Sequence, residues 1–267
     1  MPYLLSLIPY TLFLILGLLP SLAWLIFFLK EDVHPEPKKI IFKVFISGFF
    51  ITFIVIAIQF LFQDIFNSYK IADGNPFSLF SFALIEEVLK FVAVYFVVRK
   101  CRFFDEPVDA MIYMIVAALG FAMLENLAIM FSVTQISEAF GVITVRFVGA
   151  TLLHALSSAI VGYWWAKGLI AIQKKRGLNL PSEQSGRITL KSINKSEPRS
   201  LCDYPENINT FPVWNRIAIG IAISAILHTF FNYLIISFED AVVYPVIFLT
   251  IVAMFIFWDF ERIKINK

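Results

Sequence analysis

Long apolar runs dominate this sequence and determine the solvent in which it folds. A helix needs about 20 consecutive apolar residues to cross roughly 30 Å of hydrocarbon, and runs of that length recur along the chain. Hydrophobic residues make up 59% of the 267 residues and charged residues only 16%, outside the usual range of water-soluble domains. We therefore predict an all-α fold in a single domain, a polytopic membrane helix bundle with about seven transmembrane helices, or eight as the alternative. The predicted spans are 3–29, 40–62, 78–98, 109–131, 142–171, 213–237 and 241–259.

Basic residues are concentrated in alternate connections between these spans. Because cytoplasmic loops carry an excess of Lys and Arg, those connections and the C-terminus are predicted to be cytosolic, with the N-terminus outside. Segment 172–212 is polar, and we expect it to be a cytosolic loop. Arg146 lies just inside the outer end of its predicted span, where it can snorkel. The prediction is a multi-pass cell-membrane protein that contacts the lipid bilayer, and the net charge of +2 argues against a nucleic-acid partner.

The third span contains three charged residues inside an apolar helix. Glu86 and Glu87 are followed one turn later by Lys90. A charge at membrane depth commonly costs about 3 kcal/mol on insertion scales, so each one requires an explanation. Residues three and four apart share a helix face, so Lys90 can neutralise one carboxylate while the other points about 100° around the helix. A purely structural ion pair between Glu87 and Lys90 is the alternative.

Three further spans carry polar side chains at a similar depth. Measured from the outer end of each span, the acidic, imidazole and amide groups lie about 8 to 17 Å into the membrane. Unrelated structural polar residues would scatter through the bilayer, whereas a single site requires its groups at one level. His154 and Ser158 are four residues apart, as are His228 and Asn232, so each pair shares a helix face. The residues are Glu125 and Asn126 in 109–131, His154, Ser157 and Ser158 in 142–171, and His228 and Asn232 in 213–237.

These residue types suit hydrolysis. A carboxylate in an apolar environment can act as a general base for water, while His and Asn can stabilise an oxyanion or hold a metal. Catalytic zinc sites commonly use three protein ligands and one water, and residue spacing does not choose between zinc and an activated water. The sequence has no His-Glu-x-x-His, Gly-x-Ser-Gly or Gly-x-Gly-Asp motif, which argues against zincin, rhomboid and presenilin types of site.

Two other classes of function also place polar groups at membrane depth. An ion- or proton-coupled transporter does so, but the two halves of the chain show no matching pair of broken helices. A proteolytically inactive scaffold of the same fold is the other alternative, and the intact set of site residues disfavours it.

Six motifs follow one another along about 35–235. They are His34-Pro35-Glu36-Pro37, Glu86-Glu87-x-x-Lys90, Phe104-Asp105-Glu106-Pro107-Val108-Asp109, Leu119-Gly120-Phe121-x-x-x-Glu125-Asn126, His154 with Gly162-Tyr163, and His228-x-x-x-Asn232. This series resembles the PrsW peptidase family, which is related to the CAAX-processing and bacteriocin-processing (CPBP) membrane proteases. Ala110 and Met114 stand where Gly is expected in the fourth helix, a departure that concerns packing more than chemistry.

The resemblance implies an endopeptidase that cleaves membrane proteins, in a family labelled metallopeptidase, with an anti-sigma factor as the best-known substrate class. It implies Glu86 as the general base and Glu87 as its partner or a metal ligand, although the order of these two roles stays open. The other implied catalytic residues are Glu125, His154, His228 and Asn232, supported by Lys90, Asn126 and Ser158. If zinc is used, the candidate ligands are Glu87, Glu125, His154 and His228.

Our hypothesis from the sequence is that Glu86 deprotonates a water that attacks the scissile carbonyl. His228 and Asn232 would face the oxyanion, and Lys90 would tune the carboxylate pair. The expected partner is a membrane-anchored protein or peptide substrate.

Overall fold

The chain folds into a bundle of α-helices. The computed structural model describes residues 2–31, 34–72, 74–175, 210–238 and 243–265, and within them all regular secondary structure is helical. The predicted loop 172–212 lies largely outside the described residues. The helices are α1 (Pro2–Lys30), α2 (Lys38–Ser68), α3 (Pro76–Val98), α4 (Asp109–Ser132), α5 (Ile136–Val148), α6 (Ala150–Lys175), α7 (Phe211–Ser237) and α8 (Val243–Ile265).

Most of these helices can cross a membrane, which confirms the predicted fold class. By length and composition six segments qualify, with α5 and α6 together forming one of them, Ile136–Ile172. Helix α3 has a similar length but is not among the six, and it carries Glu86, Glu87 and Lys90. Large hydrophobic side chains such as Phe50 and Met254 are exposed on the bundle, as expected where a surface faces lipid.

The predicted span 142–171 is wrong in its boundaries, because two helices share it. Helix α5 begins earlier, at Ile136, and the chain breaks at Gly149 before α6 begins. A Cβ atom at Gly149 would lie 2.6 Å from the Val145 carbonyl oxygen, so glycine is required at this break. The break places Arg146 and His154 on separate helices.

Helix α4 is the centre of the bundle. It packs against α1, α2 and α6, and its residues from Ala110 to Ala122 are buried. Small residues allow neighbouring helices to approach it closely. At the crossing of α2 with α4, a Cβ atom on Gly120 would collide with the Phe45 carbonyl, and one on Gly48 would collide with the Ala117 carbonyl. This close crossing fixes α4 relative to α2.

Polar contacts also join the residues just before α2 to the beginning of α4. The Tyr113 hydroxyl donates to Glu36 Oε2 over 2.6 Å, and buried Asp109 accepts the backbone N–H groups of Asp105 and Glu106. Asp109 and Glu125 are separated by about 24 Å along α4, at 1.5 Å per residue. These motif residues therefore stabilise the opposite end of the bundle from the polar groups of α3, α6 and α7.

We predict that Gly120→Ala lowers the thermal unfolding temperature of the purified protein in detergent. The added methyl group must displace the backbone of α2, and overpacking of this kind costs about 1–3 kcal/mol. The matched control is Gly141→Ala, because a Cβ atom there has no neighbour within 4 Å. Equal unfolding temperatures for the two variants would contradict the close crossing.

Candidate active site

Helix α3 supplies three charged side chains to the interior of the bundle. It begins at Pro76, where Asn75 caps it by accepting the Phe77 backbone N–H over 2.9 Å. Farther along, Glu87 and Lys90 are 0% exposed and Glu86 is 8% exposed. Charged groups buried this deeply require partners, and α4, α6 and α7 supply them.

Glu87 is fully engaged by its neighbours. Its Oε1 atom lies 2.9 Å from Lys90 Nζ, 3.1 Å from Ser157 Oγ and 3.3 Å from His228 Nδ1. Its Oε2 atom accepts a hydrogen bond from Ser158 Oγ over 3.2 Å. Both oxygens of Glu87 are therefore committed to holding α3, α6 and α7 together.

Glu86 is only half satisfied. Its Oε1 atom accepts a hydrogen bond of 3.0 Å from the Gln59 side chain on α2. Its Oε2 atom is buried and has no hydrogen-bond partner in the described part of the chain. The groups nearest to Oε2 are Lys90 Nζ at 3.6 Å, His228 Nε2 at 3.8 Å and His154 Nδ1 at 3.9 Å. A buried carboxylate oxygen without a partner is costly, and such atoms are typical of functional sites.

The neighbours of His154 determine which of its ring nitrogens carries the proton. Nδ1 lies 2.9 Å from the Lys90 ammonium, which can only donate, so Nδ1 is the acceptor. Nε2 lies 2.8 Å from Glu125 Oε2, and Arg146 Nη2 donates to the same oxygen over 3.2 Å. Glu125 is therefore a hydrogen-bond acceptor, and His154 donates through Nε2. Both ring nitrogens of His154 are occupied.

The neighbours of His228 engage one of its two ring nitrogens more closely than the other. Nδ1 faces a Glu87 oxygen that already accepts a hydrogen bond from Lys90, so Nδ1 carries the proton. In a neutral imidazole with its proton on Nδ1, Nε2 is the acceptor, and here Nε2 faces Glu86 Oε2 over 3.8 Å. The two imidazoles pack edge to face with centroids 5.0 Å apart. The pocket thus presents two lone pairs, one from Glu86 and one from His228, to a single small space.

Arg146 does not snorkel, contrary to expectation. Because α5 begins at Ile136, Arg146 lies near its far end and points into the bundle. Its Nε donates to Asn126 Oδ1 over 2.6 Å, and its Nη2 donates to Glu125. The Asn126 amide in turn donates to Thr151 Oγ1 over 3.0 Å. A partly buried carboxylate is a stronger attraction for this guanidinium than the membrane surface, so Arg146 belongs to the site.

By distance alone, Glu86, His154 and His228 could hold a metal ion, because one ligand atom from each lies within 4.8 Å of the others. Glu87 and Glu125, which the sequence suggested as ligands, are instead engaged by cations and hydroxyls. The third ligand of the set does not fit, because His154 Nδ1 already accepts a hydrogen bond from Lys90. The residues therefore do not form a site with three available ligands.

The remaining predicted residues occupy different positions around this pocket. Asn232 is half-buried on α7, one turn beyond His228 and outside the hydrogen-bonded network. Three contributors were missed by the sequence reasoning: Gln59, Thr151 and Ser224, the last of which donates to the Ser157 carbonyl over 2.9 Å. The presence of a lone amide within an apolar run could have indicated Gln59. Hydroxyl groups inside membrane spans commonly bond to their own helix, so the sequence gave no such signal for Thr151 and Ser224.

The fold and this pocket define a class of protein, a polytopic membrane enzyme with carboxylates and imidazoles at membrane depth. A family model described as PrsW family intramembrane metalloprotease matches residues 36–181, more than half of the chain. The chain belongs to this family, which confirms the resemblance inferred from its motifs. The matched region includes the whole of α2 to α6, and thus His154, but it ends before His228 and Asn232.

Curated relatives agree with this assignment. Protease PrsW of Geobacillus kaustophilus is 33% identical over 161 residues, which cover 60% of this chain and 68% of that protein. Protease PrsW of Oceanobacillus iheyensis is 32% identical, with coverage of 61% and 73%, and that of Bacillus subtilis is 29% identical, with coverage of 60% and 70%. No solved structure matches the chain significantly. The chain is thus a multi-pass membrane protein and a PrsW-family intramembrane protease.

We predict that Arg146→Leu lowers the free energy of unfolding by about 1.5–3 kcal/mol, because Glu125 and Asn126 lose a charged donor. The free energy of unfolding of Arg146→Lys should lie between those of Arg146→Leu and the wild type, since one ammonium cannot reproduce the contacts that two guanidinium nitrogens make. Thermal and denaturant unfolding in detergent measure the effect. Arg102→Leu is the control, because Arg102 is exposed. If Arg146→Leu is as stable as the control, the inward orientation of Arg146 is wrong.

Proposed function

We propose that this chain is an intramembrane endopeptidase in which Glu86 activates the water that hydrolyses a peptide bond. The observation that carries the proposal is the buried Oε2 atom of Glu86, which has no hydrogen-bond partner among the described residues and faces His228 Nε2 over 3.8 Å. A general base needs a free lone pair beside the reacting water, and Glu86 offers one. Family membership supports a protease over an ion- or proton-coupled transporter or an inactive scaffold.

The unequal surroundings of the two carboxylates support Glu86 rather than Glu87 as the base. Glu87 accepts hydrogen bonds at both oxygens and is 0% exposed. Taking up a proton there would weaken the contacts with Lys90, Ser158 and His228 that hold α3, α6 and α7 together. Glu86 uses one oxygen to bind Gln59 and keeps the other free. We therefore assign Glu87 to positioning and Glu86 to proton transfer.

The neutral His228 suggests a different role from the one expected from sequence. With its proton on Nδ1, the ring offers an acceptor at Nε2, which does not stabilise an oxyanion directly. We assign Nε2 to the water: one water hydrogen points to Glu86 Oε2 and the other to His228 Nε2. That arrangement directs a lone pair of the water oxygen away from both residues and toward a substrate carbonyl. Asn232, one turn farther along α7, is then the proposed donor to the oxyanion.

The reaction proceeds by two proton transfers through Glu86. Glu86 Oε2 takes a proton from the water as the water oxygen bonds to the carbonyl carbon, and the π electrons of the carbonyl move to its oxygen. The tetrahedral intermediate collapses when the C–N bond breaks. Glu86 returns the proton to the departing amine nitrogen, which leaves a carboxylic acid and an amine.

The substrate that fits this site is a membrane-anchored protein or peptide. The pocket lies among membrane-crossing helices, so a soluble chain would have to enter hydrocarbon to reach it. An anti-sigma factor, the substrate class implied by the family resemblance, is the first candidate. The family is described as a metalloprotease, but zinc binding by Glu86, His154 and His228 would require Lys90 to release His154 Nδ1.

We predict that Glu86→Gln reduces cleavage of a co-expressed membrane-anchored substrate by about 10²–10⁴-fold, because the amide cannot take a proton from water. Its thermal stability should stay close to that of the wild type, since Gln59 can still bond to the amide oxygen. Glu87→Gln should instead lose stability as well, by about 3–5 kcal/mol, because it leaves Lys90 without its ionic partner.

The control for the carboxyl-to-amide change is Glu138→Gln, which replaces an exposed residue on α5 and should leave cleavage unchanged. Immunoblotting of the substrate measures cleavage, and unfolding in detergent measures stability. Wild-type rates of cleavage by Glu86→Gln would rule out Glu86 as the base.

A further inference from the structure

The Lys90 ammonium occupies the centre of the polar pocket. Its nitrogen lies 2.9 Å from Glu87 Oε1, 2.9 Å from His154 Nδ1 and 3.6 Å from Glu86 Oε2. It also lies 4.4 Å from the centroid of the Phe121 ring, a cation–π distance. The side chain is 0% exposed. Contacts on all these sides hold the ammonium in one place.

This position coincides with the space that a metal ion would need. Glu86 Oε2 and His154 Nδ1, two of the three ligand atoms that lie close enough for a metal, are 3.9 Å apart. Lys90 Nζ is closer to each of these atoms than they are to each other. A metal bound by both would have to displace the ammonium from His154 and remain next to a second positive charge.

The charge balance of the pocket also disfavours a divalent ion, which would turn a small negative excess into a positive one. Its carboxylates are Glu86, Glu87 and Glu125, and its permanent cations are Lys90 and Arg146. With neutral imidazoles, the pocket carries one negative charge in excess, and that charge belongs to Glu86. When Glu86 takes a proton from the water, this charge moves to the substrate oxyanion, so the net charge of the site stays the same through the step.

We propose that Lys90 supplies the positive charge that a metal ion supplies in metallopeptidases, and that this protease site works without bound zinc. The inference rests on the proposed protease function. An ammonium has three N–H donors, of which Glu87 and His154 use two. The third donor is left for the side of the pocket with Glu86 Oε2 and the water. Lys90 donates a hydrogen bond to His154 and so fixes the orientation of its ring, and its charge stabilises negative charge beside Glu86. In a metallopeptidase a divalent ion would fill both roles.

Zinc content is the direct test, and it does not depend on activity. Wild-type protein, Lys90→Met and Lys167→Met are purified in detergent, incubated with zinc, dialysed and analysed by inductively coupled plasma mass spectrometry. Lys167 is a suitable control because its ammonium packs on Trp164, 4.8 Å from the ring centroid, farther along α6. Methionine keeps the approximate length of lysine and removes the charge.

We expect wild type and Lys167→Met to retain far less than one zinc per chain. Lys90→Met should retain about tenfold more, because Glu86, His154 and His228 then have free lone pairs for a metal. Stoichiometric zinc in the wild type would overturn the proposal. Equal zinc in wild type and in Lys90→Met that is shown to be folded by its thermal unfolding in detergent would mean that Lys90 does not exclude the metal, which also contradicts the proposal.

Cleavage is measured on the same preparations with and without a zinc chelator. We expect the wild type to cleave a membrane-anchored substrate equally well in both conditions, and Lys90→Arg to keep more activity than Lys90→Met because it retains the charge. Activity that chelation removes and zinc restores would overturn the proposal. A failure of the proposed function would look different, because cleavage would then not depend on Glu86, whatever the zinc content.

Discussion

The ion pair between Glu87 and Lys90 is the interaction on which the rest of the pocket depends. Both groups are 0% exposed, and neither would tolerate burial without the other. Once paired, Glu87 can accept hydrogen bonds from Ser157 and Ser158 on α6, while Lys90 donates to His154. The charges of one helix thereby determine the positions of polar groups on the others.

The pocket gains chemical asymmetry from this pairing. Adjacent carboxylates on a helix point about 100° apart, so Lys90 contacts one closely and the other at longer range. Glu87 is fixed by four partners, whereas Glu86 keeps a free oxygen that faces His228. Two residues of the same type therefore take different roles because of their surroundings. An unpaired polar atom persists here because the surrounding contacts are strong enough to hold the helices in place.

A break in the chain at Gly149 contributes as much to the site as the charges do. It separates α5 from α6, so Arg146 and His154 approach Glu125 from different helices. A straight helix through this region would place residues 146 and 154 about two turns apart along one axis. With the break, the guanidinium and the imidazole bind the same carboxylate oxygen. Helix α4, held by close crossings at Gly48 and Gly120, supplies that carboxylate from the centre of the bundle.

Much of this arrangement was predictable from local sequence. Apolar runs of bilayer length predicted the helical type of the fold and its membrane class, since hydrophobic length is a property of the sequence itself. A common depth for Glu86, Glu125, His154 and His228 predicted that they share a layer, because position along a helix converts directly to depth. The choice among pairings could not be predicted in this way. Depth does not determine which side chain faces which, and Gln59 and Arg146 were consequently missed or misassigned.

The sequence by itself determined the class of fold, the membrane layer of the site and the family, because each depends on residue type and spacing along one helix. Only the tertiary structure decided that Glu87 is saturated, that Glu86 is free and that Lys90 occupies the space between them. Those facts depend on distances between helices far apart in sequence. The packing of α3 against α2 and α7, and of α6 against α4 and α7, sets those distances, and no local pattern in the chain encodes them.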